Sequence, residues 1–123
     1  MKRSLVVIVA VLVSVILSMA APEQKTVGSI SIPPGVTMRS YSTSEPNYLK
    51  GNYVVRITAL PESKMRVIQY VWIEDMQKGL KTTVDKLNAT PAVIFDDVSE
   101  ADAKRMVGNL KQLGCSAEFA AKK

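Results

Sequence analysis

The sequence predicts an α+β domain, a two-layer sandwich in which a three-stranded antiparallel sheet carries three helices on one face. Three observations predict this β-α-α-β-α-β order. Alternating apolar residues mark three strands. Apolar residues at helical spacing mark three helices between those strands. Each strand has one apolar stripe and each helix one apolar side, so the two layers bury these surfaces against each other.

The first strand and the first helix follow each other directly. The domain begins near Gly51, and every second residue of the strand is apolar or small: Tyr53, Val55, Ile57 and Ala59. Pro61 ends the strand and suits a helix start. A helix is predicted from Ser63 to about Asp75, and its apolar side carries Met65, Ile68, Val71 and Trp72.

A second helix and a short strand come next. Gly79 breaks the first helical pattern, and Leu80, Val84 and Leu87 mark the second helix, which ends before Pro91. The strand runs from Ala92 to Phe95.

The last helix has clear signals at both ends. Ser99 is placed to cap the helix, and the negative charge of Asp102, three residues later, is favourable near the positive N-terminal end of the helix dipole. The apolar positions are Ala103, Met106, Val107, Leu110 and Leu113. Gly114 suits the left-handed residue that ends a helix. Cys115, Ala117 and Phe119 then alternate in a closing strand, and this alternation predicts a buried, inert Cys115 thiol.

The N-terminus has the pattern of a targeting segment. Lys2 and Arg3 precede an apolar run from Leu5 to Leu17, and Ser18-Met19-Ala20 fits a cleavage site, so residues 1–20 are interpreted as a signal peptide. The alternative is an uncleaved membrane anchor over residues 5–21, at the lower limit of length for a spanning helix. The charges precede the apolar run, so both readings place the domain outside the cytoplasm, in the periplasm or on the outer side of the membrane.

Residues 21–50 are predicted to form a flexible tether between this segment and the domain over residues 51–121. The tether is punctuated by prolines and is rich in Ser and Thr. Ile30, Ile32 and Val36 would form a short strand or pack on the domain under the alternative interpretation.

Composition excludes several classes of function. The chain has 123 residues, no histidine and one cysteine, which excludes a histidine-containing zinc site or a cysteine–histidine nucleophile within one chain. Its formal charge of +5 is dispersed, which argues against nucleic acid as a partner. The acidic residues around Asp96 and Asp97 lack the spacing of a calcium loop. No cofactor site and no catalytic group are predicted, so the chain is interpreted as a non-enzymatic protein.

The domain resembles the C-terminal domain of the bacterial L-seven/L-twelve ribosomal stalk protein over roughly residues 53–120. The matching positions are Lys64, Val67, Ile68, Val71, Gly79-Leu80-Lys81, Asp85, Pro91, Val98-Ser99, Ala103, Leu110, Gly114 and Glu118. The resemblance implies the fold described above and a binding role. In that family, a basic face on the first two helices recruits translation GTPases.

The departures from the family alter this face. Lys64 and Lys81 stand at family lysines, whereas Gln69, Trp72 and Val84 replace basic residues. An exported chain cannot serve ribosomes, so we expect an adaptor or accessory subunit that binds another protein through its first two helices. The predicted binding residues are Lys64, Met65, Gln69, Trp72, Lys81 and Val84. Trp72 and Met65 are residue types enriched in interface cores. The alternative is that Trp72 simply packs against the neighbouring helix or the tether, since an apolar stripe at helical spacing usually belongs to the core.

A peptidoglycan-binding envelope protein of the sporulation-related repeat type is the alternative function. Asn52-Tyr53-Val54-Val55 and a late Leu-x-x-Leu-Gly, residues 110–114, are loosely similar to that family. The helical stretch from Glu62 to Asn88 fits it less well, because that family usually has strands in its middle.

Overall fold

The computed structural model describes residues 26–122. Their elements, in chain order, are β1 (Thr26–Val27), β2 (Ile30–Ser31), β3 (Lys50–Ala59), α1 (Met65–Glu74), a 3₁₀ turn (Met76–Lys78), α2 (Leu80–Asn88), β4 (Ala92–Val98), α3 (Glu100–Gln112) and β5 (Ser116–Ala121). The α+β class and the three-stranded antiparallel sheet are confirmed. The predicted order is extended by the β1–β2 hairpin and by the 3₁₀ turn.

The main sheet has the order β4-β3-β5, so the first long strand lies at its centre. Helix α3 packs on β3 and β5, and α2 packs on α1 and β4. Val55 and Ile57 of β3 are fully buried, whereas Arg56 and Thr58 between and after them are exposed. The prediction from the apolar alternation is therefore confirmed for the central strand, which has one face in the core and the other towards solvent.

The last helix ends as its sequence predicts. Ser99 has extended backbone angles, and its hydroxyl accepts a hydrogen bond from the Asp102 N–H. Gly114 has φ +95°, a conformation that strains any residue with a Cβ. The cap and the glycine set the two turns by which the chain leaves β4 and enters β5.

Strand β4 is longer than predicted and contains a bulge. The register with β3 shifts between the pairs Arg56–Val93 and Val55–Phe95, so Ile94 is an extra residue on β4. Ile94 and Phe95 are both buried as a result. Alternation alone predicts an interior position for Phe95 and an exterior one for Ile94.

Most of the predicted core is buried, but not all of it. The buried members are Val55, Ile57, Val71, Leu87, Phe95, Met106, Leu110 and Cys115. Ile68, Tyr53, Ala117 and Phe119 are partly buried. Leu80 is 45% exposed, so its predicted core position is wrong. Burial raises the pKa of the Cys115 thiol to about 11, consistent with an inert side chain.

The predicted tether is wrong over residues 26–49, which we call the strap. The strap packs against the domain: Val27 is fully buried, Tyr48 is 5% exposed, and Ile30, Val36 and Met38 pack against the core. The domain therefore begins before Gly51. Residues 21–25 of the predicted tether and the predicted signal or anchor over residues 1–21 lie outside the described residues.

Candidate functional site

A groove opens between α1, the start of α2 and the β1–β2 hairpin, with a volume of about 320 Å³. It is lined by Ile30, Met65, Ile68, Gln69, Trp72 and Leu80. Five of these side chains are apolar and the sixth is an amide, so no titratable group lines the groove. Such a surface offers contact area and the hydrogen-bonding groups of Gln69 and Trp72, but no acid, base or nucleophile.

Helix α1 supplies most of the groove because of its residue spacing. Met65, Gln69 and Trp72 follow one another at intervals of four and three residues, which places them on one helix face. A different set of residues on α1 is buried in the core, among them Val67, Tyr70 and Ile73. The helix thus has a core side and a separate apolar side that opens to the surface.

The strap forms the opposite wall. Ile30 of β2 lies against the groove, and the Gln69 side-chain amide donates a hydrogen bond to the Ser31 carbonyl. This bond ties α1 to the hairpin, so the strap contributes one wall of the groove.

Two of the apolar lining residues are unusually exposed. Met65 is 70% exposed and Leu80 is 45% exposed. The indole N–H of Trp72 is buried and has no acceptor among residues 26–122. Buried donors are almost always paired in folded proteins, so this one needs an explanation.

The structure brings together three of the six predicted binding residues: Met65, Gln69 and Trp72 line the groove. Lys64 is exposed at the N-cap position of α1, directly before Met65. Lys81 is exposed beside Leu80 and forms an ion pair with Asp85 at 3.0 Å. Val84 is half-buried on α2 and does not line the groove.

Sequence reasoning missed Ile30 as a site residue and assigned Ile68 and Leu80 to the core alone. An apolar residue at helical spacing predicts an apolar face, but the spacing does not say whether another element covers that face. The one available signal was the short apolar cluster around Ile30 in the strap.

A second, more polar depression of about 550 Å³ lies beyond the start of α1. Its lining residues are Pro34, Pro61, Ser63, Arg66, Gln112 and Leu113. Arg66 is the sole ionisable residue among them, so the depression has no pair of groups suited to acid–base chemistry.

A buried polar network joins the strap to α1 and α3. Arg105 of α3 contacts both Glu74 carboxylate oxygens, at 2.6 and 3.2 Å, and donates to Asp102 at 3.0 Å. Arg39 of the strap donates to the other Asp102 oxygen at 2.8 Å. Tyr70 donates its hydroxyl proton to Glu74 at 2.6 Å.

Neighbouring cations and hydrogen-bond donors stabilise the two buried carboxylates of this network, Glu74 and Asp102. Burial raises the pKa of Glu74, and the Arg105 guanidinium and the Tyr70 hydroxyl oppose that rise. Burial also acts to raise the pKa of Asp102, but the Leu49 N–H and the two arginines outweigh it and lower that pKa. Since these carboxylates are satisfied by protein partners, the network is a structural connection rather than an open site.

Asp75 directly follows Glu74 at the C-terminal end of α1 and lies beside Tyr48. The Tyr48 hydroxyl lies 3.4 Å from oxygens of both Asp75 and Asp97, and burial with these two carboxylates raises its pKa. The other Asp75 oxygen is buried without a partner among the described residues. Within residues 26–122 no group of three or more Cys, Asp or Glu side chains is arranged to hold a metal ion.

No protein-family model matches the chain, and no curated protein matches it. The resemblance to the ribosomal stalk domain therefore stays a prediction. Among the residues that the structure describes, no helix is both long and apolar enough to cross a membrane.

Proposed function

We propose that this chain is a non-enzymatic protein-binding module that works outside the cytoplasm and binds its partner in the groove between α1, α2 and the strap. The observation that carries the proposal is the exposed apolar lining, with Met65 at 70% exposure beside a tryptophan. Contiguous apolar surface of this kind marks interaction sites in soluble domains. Trp72 and Met65 are residue types enriched at interface centres.

The partner is a protein segment with apolar side chains for the groove and carboxylates at its flanks. Lys64 stands at the start of α1 and Lys81 at the start of α2, where the helix dipoles add positive charge. Neither helix has an acidic residue in its first turn. The apolar lining therefore supplies affinity, while the two lysines favour an acidic partner.

Trp72 has a specific role in this binding. Its indole N–H lacks an acceptor among residues 26–122 of the unbound chain. A turn of the ring towards the groove would present this donor to a carbonyl of the bound segment. Binding would thereby satisfy a buried donor that is otherwise unpaired, which contributes affinity and orients the ligand.

The peptidoglycan alternative gains no support from the fold. Residues 65–74 and 80–88 are helices, whereas that family usually has strands in this region.

The test is a photo-crosslinking experiment on the full chain with a benzophenone amino acid at position 65. The crosslinked partner is identified by mass spectrometry, produced alone and titrated against wild type, Met65→Glu, Trp72→Ala and the matched control Val93→Glu. Val93 is 42% exposed on the far face of the sheet, so it is an apolar-to-acidic change away from the groove. We expect the crosslinked segment to be apolar with acidic flanks, and the two groove variants to lose at least about tenfold in affinity, or about 1.4 kcal/mol.

A partner that binds Met65→Glu and Val93→Glu equally well would refute the proposal, as would a crosslinked segment without apolar residues. Sedimentation with purified peptidoglycan that survives Met65→Glu would favour the wall-binding alternative. Thermal unfolding of each variant shows whether a loss of binding reflects a loss of fold.

A further inference from the structure

Among residues 26–122, β3 is the sole neighbour of β5 in the sheet, so this part of the chain leaves the outer edge of β5 open. The Lys122 N–H donates to the Asn52 carbonyl at 2.7 Å, so Lys122 directs its backbone groups towards β3. Backbone groups alternate in direction along an antiparallel strand. The N–H and C=O groups of Ala117, Phe119 and Ala121 therefore point away from the sheet.

In the described part of the chain this edge has no bulge, and Glu118 is the one charged residue within β5. The paired run from Ala117 to Ala121 has a regular register with β3, without a bulge. Strand β4, at the opposite edge, carries the bulge at Ile94 and two aspartates. Bulges and charged residues are the usual means by which proteins prevent an edge strand from pairing.

We propose that β5 pairs antiparallel with β5 of a second copy of this chain, which joins two sheets into one of six strands. The charges of the edge favour a register in which they pair with each other. With Ala120 opposite Ala120 of the second copy, Glu118 lies opposite Lys122 in both directions. A register with Glu118 opposite itself places like charges together, which is unfavourable.

Three further features suit this register. The outward backbone groups of Phe119 and Ala121 oppose each other and form the ladder hydrogen bonds. Glu118 and Lys122 are both exposed and fall at the closely spaced positions, where side chains interact most directly. Ala120 at the two-fold axis is small, so the strands approach without steric conflict. The contact is isologous, because each copy supplies the same surface.

The pairing is short, so the interface falls at the low end of protein interfaces, below ~1,200 Å². We therefore expect a dimer that depends on concentration. The groove lies on α1, α2 and the strap, and β5 contributes none of its lining, so dimerisation and partner binding are separable.

The test is disulfide trapping in the full chain. Closely spaced residues on paired strands have Cα atoms about 4.5 Å apart, within the range that a disulfide spans. Ala120→Cys should give a covalent dimer on mild oxidation with copper phenanthroline, seen on a non-reducing gel across a dilution series. Ala101→Cys, an exposed alanine on α3, is the matched control, and wild type tests the buried Cys115.

Charge reversal tests the register. In the Ala120→Cys chain, Lys122→Glu should reduce the rate of crosslinking several-fold, because it places two acidic residues opposite each other. The added change Glu118→Lys should restore the rate. Lys122 has neutral Asn52 as its neighbour on β3, so the first change leaves intrachain charge pairs intact. Crosslinking of Ala120→Cys no faster than Ala101→Cys overturns the proposal, and so does a rate that the charge changes leave unaltered.

Discussion

At the scale of single residues, Arg105 joins the two carboxylates of the buried polar network, Glu74 and Asp102. Its side chain is 14% exposed and contacts Glu74, which is fully buried, and Asp102. Replacement by Met would leave the Glu74 carboxylate buried without a counter-charge. We expect Arg105→Met to lower the free energy of unfolding by about 3–5 kcal/mol, measured by urea denaturation.

Two variants show whether the loss comes from the unpaired charge. Glu74→Gln combined with Arg105→Met removes that charge and should recover part of the stability. Lys104→Met changes a neighbouring cation whose contact with Glu100 is 4.0 Å long and exposed, so it should cost less than about 0.5 kcal/mol. Equal unfolding midpoints for Arg105→Met and Lys104→Met would contradict this account of the network.

At the scale of elements, one buried polar side chain holds the last loop of the strap in place. Asn47 is fully buried, accepts hydrogen bonds from the Ser40 hydroxyl and the Ser42 N–H, and donates to the Ser42 and Ile73 carbonyls. It therefore folds the loop over residues 40–47 and fastens it to the end of α1. Hydrogen bonds from a buried polar side chain thus fix this loop, whereas a helix or strand is held mainly by its buried apolar face.

Asn47→Ala should loosen the strap, because it leaves the Ile73 carbonyl and the loop groups without partners at a cost of about 1–3 kcal/mol. Trypsin cleavage after Arg39 measures this local opening, since Arg39 lies in the strap and pairs with Asp102. We expect faster cleavage in Asn47→Ala than in wild type, and no change in Ser44→Ala, which alters an exposed residue of the same loop. Equal cleavage rates in all three proteins would show that Asn47 does not hold the strap.

The elements differ in how well their sequences predict them. Helix α3 is predictable because its cap at Ser99 and its end at Gly114 are local signals, read from a few adjacent residues. The bulge at Ile94 is not predictable from local sequence, since it depends on how β4 is matched to β3. The strap is not predictable either, because its apolar residues follow no period and its Pro, Ser and Thr content is typical of linkers.

At the scale of the whole molecule, the groove was predictable in part. The spacing of Met65, Gln69 and Trp72 fixes them on one face of α1 whatever surrounds the helix. The exposure of Leu80 and the contribution of Ile30 follow from the course of the strap, a tertiary feature that local patterns do not encode. The strap also supplies Arg39 to the polar network on α3, so the same segment contributes both to the groove and to the packing of the domain.

This shared element leads to a prediction about where the domain begins. A fragment of residues 51–123, which starts at the boundary that the sequence predicts, lacks Val27, Arg39, Asn47 and Tyr48. It exposes part of the core and removes partners of Asp102, and a domain of this size has a total stability of only about 5–15 kcal/mol. We expect residues 26–123 to unfold cooperatively in urea and residues 51–123 to show no cooperative transition. Circular dichroism of the two fragments measures this difference. A cooperative transition of the shorter fragment at the same urea concentration would mean that the strap adds nothing to the stability of the domain.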